Sequence, residues 1–381
     1  MLQDFLDAKP LYYDEIDYTR MSRVYQKIKD HFVPTKIIHL VGTNGKGTTG
    51  RFLASSLHSM GYTVGHYTSP HILKFNERIW LNGSDVIDEV LEFHHDILQK
   101  ILDDKDSESL SYFEYTTILA MLIFNTSDYI VLEAGLGGEN DATAVFNKDL
   151  TLVTPIDYDH ESFLGSDIKC IAQTKLNAIQ NNAVIAHQIH DEVIAVANSI
   201  SKKEEINIQK IDDLLNDNDK ENISKIQEKL SLAPYLTQNL SHAIAAINFF
   251  NLNYELDDFT EAKLFGRLSK VKENIIVDVG HNTLAAKVIL DALSPNKYIL
   301  VYNSYQDKNY KKILSILKPL IIEVQIIEIQ NQRVESLNLM QETLKKLDIS
   351  YSIFEEVEDD KNYLVFGSFV VVEEFMKGYN G

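Results

Sequence analysis

Gly42-Thr43-Asn44-Gly45-Lys46-Gly47-Thr48 is the stretch of this chain best suited to chemistry. Glycines let backbone N–H groups close around phosphate oxygens. A helix opening directly after the loop adds a favourable dipole for an anion. Lys46 is placed to reach the β- and γ-phosphates of a nucleotide, and the Thr48 or Thr49 hydroxyl to bind phosphate or metal. The stretch departs from the common pattern G-x-x-x-x-G-K-[ST]. Gly47 separates the lysine from the threonine, and Leu40 stands where the first glycine belongs. The competing reading is a plain glycine-rich turn, and the strand–loop–helix setting counts against it. Ser69, Glu133 and His160 fall just past the carboxyl ends of predicted strands, where open α/β sheets place their ligands. Taken singly, Ser69 before Pro70 is a turn residue and His160 a structural histidine. Glu133 ends an apolar strand and needs a partner or a metal. Their convergence with Lys46 on one sheet edge favours a shared site.

Such residues need a scaffold. The run KIIHLV at 36–41 reads as a strand leading into the glycine loop, and 48–60 as the helix after it, stopped by Gly61. Further strands are predicted over 63–67, 128–132 and 150–155, with helices over 87–102 and 115–124. This alternation suggests a parallel sheet with helices on both faces. Residues 201–231 read instead as a peripheral, solvated segment, rich in Lys, Glu, Asp and Asn. A helical apolar pattern returns over 241–250. A second alternating series begins near Phe265, with strands over 275–279, 298–302, 324–329, 351–354 and 363–366. Helices over 283–293, 310–317 and 335–347 lie between them, and one more ends the chain. The expected fold is α/β. An N-terminal P-loop-type ATPase domain with a mostly parallel sheet spans 1-264, and a smaller C-terminal Rossmann-like, doubly wound domain spans 265-381.

Lys+Arg number 36 and Asp+Glu 56, a formal net charge of −20. That balance excludes a sequence-independent nucleic-acid binder, which needs a basic face. It also excludes docking on anionic membranes. Any anionic ligand must be captured locally, against the global field. The 45% of hydrophobic residues supply a sizeable core, and 381 residues make two domains the prior. Cys170 is the one cysteine, so neither an intramolecular disulfide nor a cysteine-based zinc site is expected. The N-terminus lacks a basic n-region and an apolar h-region, and no apolar run approaches the ~20 residues of a membrane span. A cytoplasmic protein is expected.

The glycine loop resembles the nucleotide loop of the Mur ligase superfamily. Later stretches of the chain resemble one branch of it, the folylpolyglutamate synthases and dihydrofolate synthases. These stretches are Tyr67-Thr68-Ser69-Pro70-His71, Phe75-Asn76-Glu77-Arg78-Ile79, Leu132-Glu133-Ala134-Gly135-Leu136-Gly137-Gly138, Asp141-Ala142-Thr143, and Asp159-His160 with Phe163-Leu164-Gly165. The resemblance implies an ATP-dependent ligase that joins L-glutamate to dihydropteroate, and to reduced folates, through an acyl phosphate. It implies ATP contacts at Thr43, Asn44, Gly45, Lys46, Gly47 and Thr48, at Arg267 and Asp278, and at either Asn239 or His242. It implies magnesium ligands at Ser69, Glu133 and His160. Lys175 matches a lysine carbamylated by CO₂ that serves a second magnesium ion, although Leu176-Asn177 follow it where the family has Ala-Gly. Lys46, His160, Lys175 and Arg267 are thereby the catalytic candidates. Phe113, Glu114 and Tyr115 match a pterin-binding segment, where aromatic residues would otherwise read as core. Asp17 and Arg20 match a second pterin contact, and Asn140, Asp141 and Ala142 a third. His281 faces the substrate or serves a helix cap.

Three other readings compete. A related Mur-type peptide ligase of cell-wall precursor synthesis is disfavoured by the 113–115 run. A P-loop kinase needs no second doubly wound domain. A nucleotide-dependent switch leaves the joint presence of Lys46, Glu133, His160 and Arg267 unexplained. The expected partners are small molecules only: ATP, L-glutamate, and dihydropteroate or a reduced folate. No nucleic acid or membrane is expected, and the chain is expected to be a monomer.

Overall fold

A computed structural model describes residues 1–9 and 17–380. The chain divides into two compact units. One comprises Met1–Leu232 and Leu236–Lys263, the other Ala233–Tyr235 and Leu264–Gly381.

Among the described residues, the larger unit is built on eight strands: β1 Lys36–Val41, β2 Val64–Tyr67, β3 Ile79–Leu81, β4 Ser84–Asp85, β5 Tyr129–Glu133, β6 Leu150–Val153, β7 Asn182–Ile185 and β8 Asn207–Lys210. They lie in the order β4-β3-β2-β5-β1-β6-β7-β8. The run from β2 to β8 is parallel, and β3 and β4 add an antiparallel edge. Helices cover both faces, so the central strands are near-continuous apolar runs rather than alternating ones. Leu119 and Phe124, from the helix Tyr112–Ile123 and its end, pack on one face. Phe52, Leu53 and Leu57 of the helix Lys46–Ser59 pack on the other, with Ile244 and Ile247 of Pro234–Phe249.

Residues 201–231 differ from the sequence expectation. They contain β8, paired in parallel with β7, and the helix Asp217–Leu230. Ile223 and Ile226 of that helix are buried, and Asp219 is buried while accepting from Asn248 Nδ2 at 2.8 Å and the Tyr254 hydroxyl at 2.8 Å. The acidic and amide side chains of its outer face mask a narrow apolar stripe. The helices at 46 and 112 also begin earlier than expected. Gly45 takes a left-handed conformation that starts the first, and Ser111 caps the second.

The smaller unit carries β9 Ser269–Lys272, β10 Ile275–Asp278, β11 Tyr298–Tyr302, β12 Ile321–Ile326, β13 Tyr351–Ile353 and β14 Tyr363–Phe366, in the order β13-β12-β11-β14-β10-β9. All pairs are parallel except β9 with β10. The polar β9 strand (SKVK) carries no apolar signal in the sequence. Among the described residues, no helix is long and apolar enough to cross a membrane.

Candidate active site

Strand register aligns the carboxyl ends of β1, β5 and β6, with Leu40 opposite Glu133 and Val41 opposite Val153. The loops leaving them share one sheet edge. From β1 the chain enters the glycine loop through Gly42, at φ +143, and reaches the helix through Gly45, at φ +92. Both values are ones that side chains oppose. Both glycines are also crowded. A Cβ on Gly42 would stand 2.0 Å from Thr154 Oγ1 and 2.9 Å from the Thr154 carbonyl oxygen; one on Gly45 would stand 2.7 Å from Asn239 Oδ1. Thr43 pins the loop to the segment after β6. Its N–H donates to the Pro155 carbonyl at 2.9 Å, its hydroxyl donates to the Asp157 carbonyl at 3.0 Å and accepts from the Asp157 N–H at 3.0 Å. The first helical bond runs from Thr49 N–H to the Gly45 carbonyl at 2.9 Å. The N–H groups of Lys46, Gly47 and Thr48 precede it and face the helix end, which suits an anion. The Thr48 and Thr49 hydroxyls are buried without a hydrogen-bond partner. Such an orphan costs about 1–3 kcal/mol until a ligand satisfies it.

The Gly42 carbonyl gathers two lysines, Lys46 Nζ at 3.2 Å and Lys175 Nζ at 3.0 Å. Lys46 Nζ lies 3.8 Å from Glu133 Oε1, with side chains only 15% and 6% exposed. Glu133 Oε2 accepts from the Thr68 hydroxyl and from the Ser69 N–H at 3.2 Å. Lys46, Glu133, Ser69 and Lys175 are thus brought together around one loop. Burial pushes the Lys175 amine down to about 7; the Lys46 charge adds to this, and Asp159 and Asp141 oppose it. The amine therefore has a sizeable neutral fraction near neutral pH, the form that reacts with CO₂. His160 lies on the β6 side, at φ +53, ahead of the helix Glu161–Leu164. Its ring is 41% exposed, with Nε2 3.9 Å from Asp159 Oδ2.

Among the described residues, no three His, Cys, Asp or Glu side chains converge as a metal cage. The donors at the loop include the Glu133 carboxylate and several hydroxyls, among them the orphaned Thr48 Oγ1. Hard oxygen donors fit a cation such as magnesium, which binds through one or two carboxylates plus phosphate oxygens.

The residues expected to meet a pterin divide into two groups. Ser111 Oγ accepts from the Glu114 N–H at 3.1 Å, and Glu114 Oε2 accepts from the Ser111 N–H at 2.7 Å. The same oxygen takes Arg20 Nε at 2.7 Å. Glu114 and Arg20 are committed to each other and to the helix start. Tyr115 is fully buried, its hydroxyl 2.7 Å from His95 Nδ1 and accepting from Gln99 Nε2 at 2.8 Å. Tyr115 packs in the core of the larger unit. Phe113 lies two residues earlier, roughly 200° around the helix, and faces the other way. A Cβ on Gly135 would come within 2.6 Å of its ring, and the Tyr67 ring lies 5.8 Å from it. Asp141 and Ala142 are buried and Asn140 is exposed. Asp17 accepts from the Thr19 N–H at 2.9 Å and hydroxyl at 2.7 Å, bonds that hold its carboxyl below the usual range.

In the smaller unit Asp278 ends β10 and is buried. Oδ2 accepts from the Leu268 N–H at 2.9 Å and the Tyr235 hydroxyl at 3.2 Å, and Oδ1 from the Gly280 N–H at 2.8 Å. Burial raises its pKa, and the Arg267 charge opposes this. Arg267 donates to the Gly266 carbonyl at 3.0 Å and lies 5.2 Å over the Phe369 ring. His281 Nδ1 lies 3.1 Å from the Val279 carbonyl, and Asn282 caps the helix Thr283–Leu293 by accepting from the Ala285 N–H at 2.9 Å. In the larger unit, Asn239 packs on the glycine loop, whereas His242 points into the core, 3.0 Å from the Val184 carbonyl. Thr68 lies in the Tyr67–His71 stretch but is given no role by the sequence; the structure joins it to Glu133. Its signal is positional: Tyr67 pairs with Leu132, which brings the next residue beside Glu133.

No family model matches the chain. A dihydrofolate synthase/folylpolyglutamate synthase of Haemophilus influenzae is 30% identical over 415 residues, covering 95% of this chain and 93% of that one. The crystal structure of Helicobacter pylori folylpolyglutamate synthetase superposes with a TM-score of 0.81 at 39% identity, covering 100% of this chain and 98% of that one. A bifunctional folylpolyglutamate synthase/dihydrofolate synthase with Mn, AMPPNP and L-glutamate bound gives a TM-score of 0.82 at 25% identity, covering 100% and 97%.

Proposed function

The chain belongs to the dihydrofolate synthase/folylpolyglutamate synthase family, and on that premise we propose that it joins L-glutamate to dihydropteroate and to reduced folates. It is an ATP-dependent amide ligase. The observation that carries the reading is the meeting of Lys46, Glu133, Ser69 and Lys175 at the glycine loop. The related cell-wall ligase is not favoured, because the relatives are named as folate enzymes.

The chain's own residues account for binding and phosphoryl transfer. The N–H groups of the first helical turn and Lys46 hold the β- and γ-phosphates, while Asn239 braces Gly45. The acceptor carboxylate attacks the γ-phosphorus, ADP leaves, and an acyl phosphate forms. The glutamate amine then attacks the acyl carbon and expels phosphate. Lys46 supplies fixed positive charge for these steps, which demand positioning more than covalent help. Ser69, Glu133 and His160 would hold magnesium, which supplies charge neutralisation at the phosphates when bound. A carbamate on Lys175 would give an oxygen to a second magnesium ion; its buried, partly neutral amine supports this. Asp278 and Arg267 would contact the nucleotide, and Phe113 would stack on the pterin. Residues 1-264 would form the ATP-binding domain and 265-381 the ligase domain, in a cytoplasmic monomer.

The test is phosphate release from ATP. It should require both glutamate and dihydropteroate, with tetrahydrofolate as the second acceptor compared. Lys46→Ala and His160→Ala should abolish it. Near-normal turnover in both variants, or no dependence on glutamate, would remove this reading.

A further inference from the structure

Asp141 follows the motif of Glu133 closely, and its carboxylate is fully used by the protein. Oδ2 accepts the N–H groups of Gly135 at 3.0 Å and Leu136 at 2.9 Å. Oδ1 accepts the N–H of Thr143 at 3.0 Å and its hydroxyl at 2.6 Å. Four donors fill the acceptor capacity of a carboxylate. The chain of bonds continues inward. Thr143 Oγ1 has a single proton and gives it to Asp141, so toward His39 it can only accept. His39 Nε2, at 2.8 Å, is therefore the donor. His39 sits on β1, fully buried, and burial with the nearby Lys148 charge keeps its ring neutral. Its Nδ1 has no partner, as a single-tautomer ring anchored through Nε2–H would leave it.

What this chain of bonds fixes is the floor under Phe113. A Cβ on Gly135 would stand 2.6 Å from Phe113 Cζ, so the ring rests directly on this glycine, and the Gly135 amide is held by Asp141. The height of that loop and the position of the ring are therefore set together.

We infer that His39, Thr143 and Asp141 form a positioning relay that holds the Gly135–Leu136 loop and, through it, the ring of Phe113 on which the acceptor substrate lies. Asp141 acts on the loop's backbone through the Gly135 and Leu136 N–H groups. His39 and Thr143 are positioning residues with no contact to any reacting atom. The relay lies on the acceptor side and leaves the glycine loop's own bonds untouched. This rests on the proposed ligase reading, since it needs an aromatic acid as acceptor.

The test is Thr143→Val, which keeps the side chain's volume but removes the acceptor for His39 and the donor to Asp141. The KM for dihydropteroate should rise about tenfold, the value of one buried hydrogen bond left unmade. The KM for ATP and kcat should stay within twofold. Thr143→Ser, which keeps the hydroxyl, should restore the dihydropteroate KM. A purely structural role would lower Tm without this split. Equal shifts in both KM values, or none, would overturn the relay, as would a failure of Thr143→Ser to restore. Parent protein inactive with dihydropteroate, ATP and glutamate would instead refute the ligase reading on which the relay depends.

Discussion

Gly42→Ala is the sharpest single perturbation of the glycine loop. The new Cβ would stand 2.0 Å from Thr154 Oγ1, 2.9 Å from its carbonyl oxygen and 3.0 Å from its carbonyl carbon. A rotamer change at Thr154 can relieve the first contact but not the two backbone ones. The loop must move by about 1 Å, and at φ +143 the side chain is strained wherever it goes. Strain of about 1–3 kcal/mol and overpacking of about 1–3 kcal/mol give a loss of roughly 2–6 kcal/mol. That is a large share of a typical domain's stability, about 5–15 kcal/mol. The Gly42 carbonyl would move with the loop, and it holds both Lys46 and Lys175. A displacement near 1 Å at such a site lowers turnover by about a hundredfold. Urea unfolding and phosphate release with varied ATP measure the two effects. Adding Thr154→Ala should recover only part of the stability, because the backbone contacts remain. Gly42→Ala within about 1 kcal/mol of the parent, with an unchanged KM for ATP, would refute the packing argument.

Other outcomes depend on the same geometry. Lys46→Met keeps the aliphatic stem but leaves Glu133 without the cation at 3.8 Å; phosphate release should fall more than about a hundredfold, and urea unfolding should show a loss of about 1–3 kcal/mol. Retained turnover would contradict the role of Lys46. Lys175 gives a pH signature in the metal-free protein. Its folded pKa of about 7 lies below the ordinary 10.5, so between those values the unfolded chain binds a proton that the folded chain does not. Stability therefore rises with pH across that window, by up to about 5 kcal/mol from this group, and is independent of it below about pH 7. Lys175→Met should flatten the rise relative to the parent in unfolding curves taken from pH 7 to 10; an identical slope would show that the amine is not buried uncompensated.

Local signals carry the legible part of the fold and site. The apolar runs of β1, β5 and β6 and the spacing of Gly42, Gly45 and Lys46 are short-range patterns, and they place the loop on its sheet edge. Long-range choices are not legible. Which residue of the 113–115 run turns outward depends on where Ser111 starts the helix, and a single step rotates the face by about 100°. The helix Asp217–Leu230 is hidden because its charged outer face outweighs Ile223 and Ile226 in any count. β9 joins the sheet through backbone bonds to β10, which polar side chains do not announce. The choice between Asn239 and His242 is open from sequence; packing puts the first on Gly45 and the second on Val184.

In the proposed reaction the acceptor carboxylate is activated as an acyl phosphate, and an oxygen label reports that step. Dihydropteroate with both carboxylate oxygens as ¹⁸O is turned over with ATP and glutamate, and the phosphate released is weighed. Transfer through an acyl phosphate leaves one labelled oxygen in each phosphate and the other in the amide. Unlabelled phosphate, or label recovered in AMP, would contradict the mechanism.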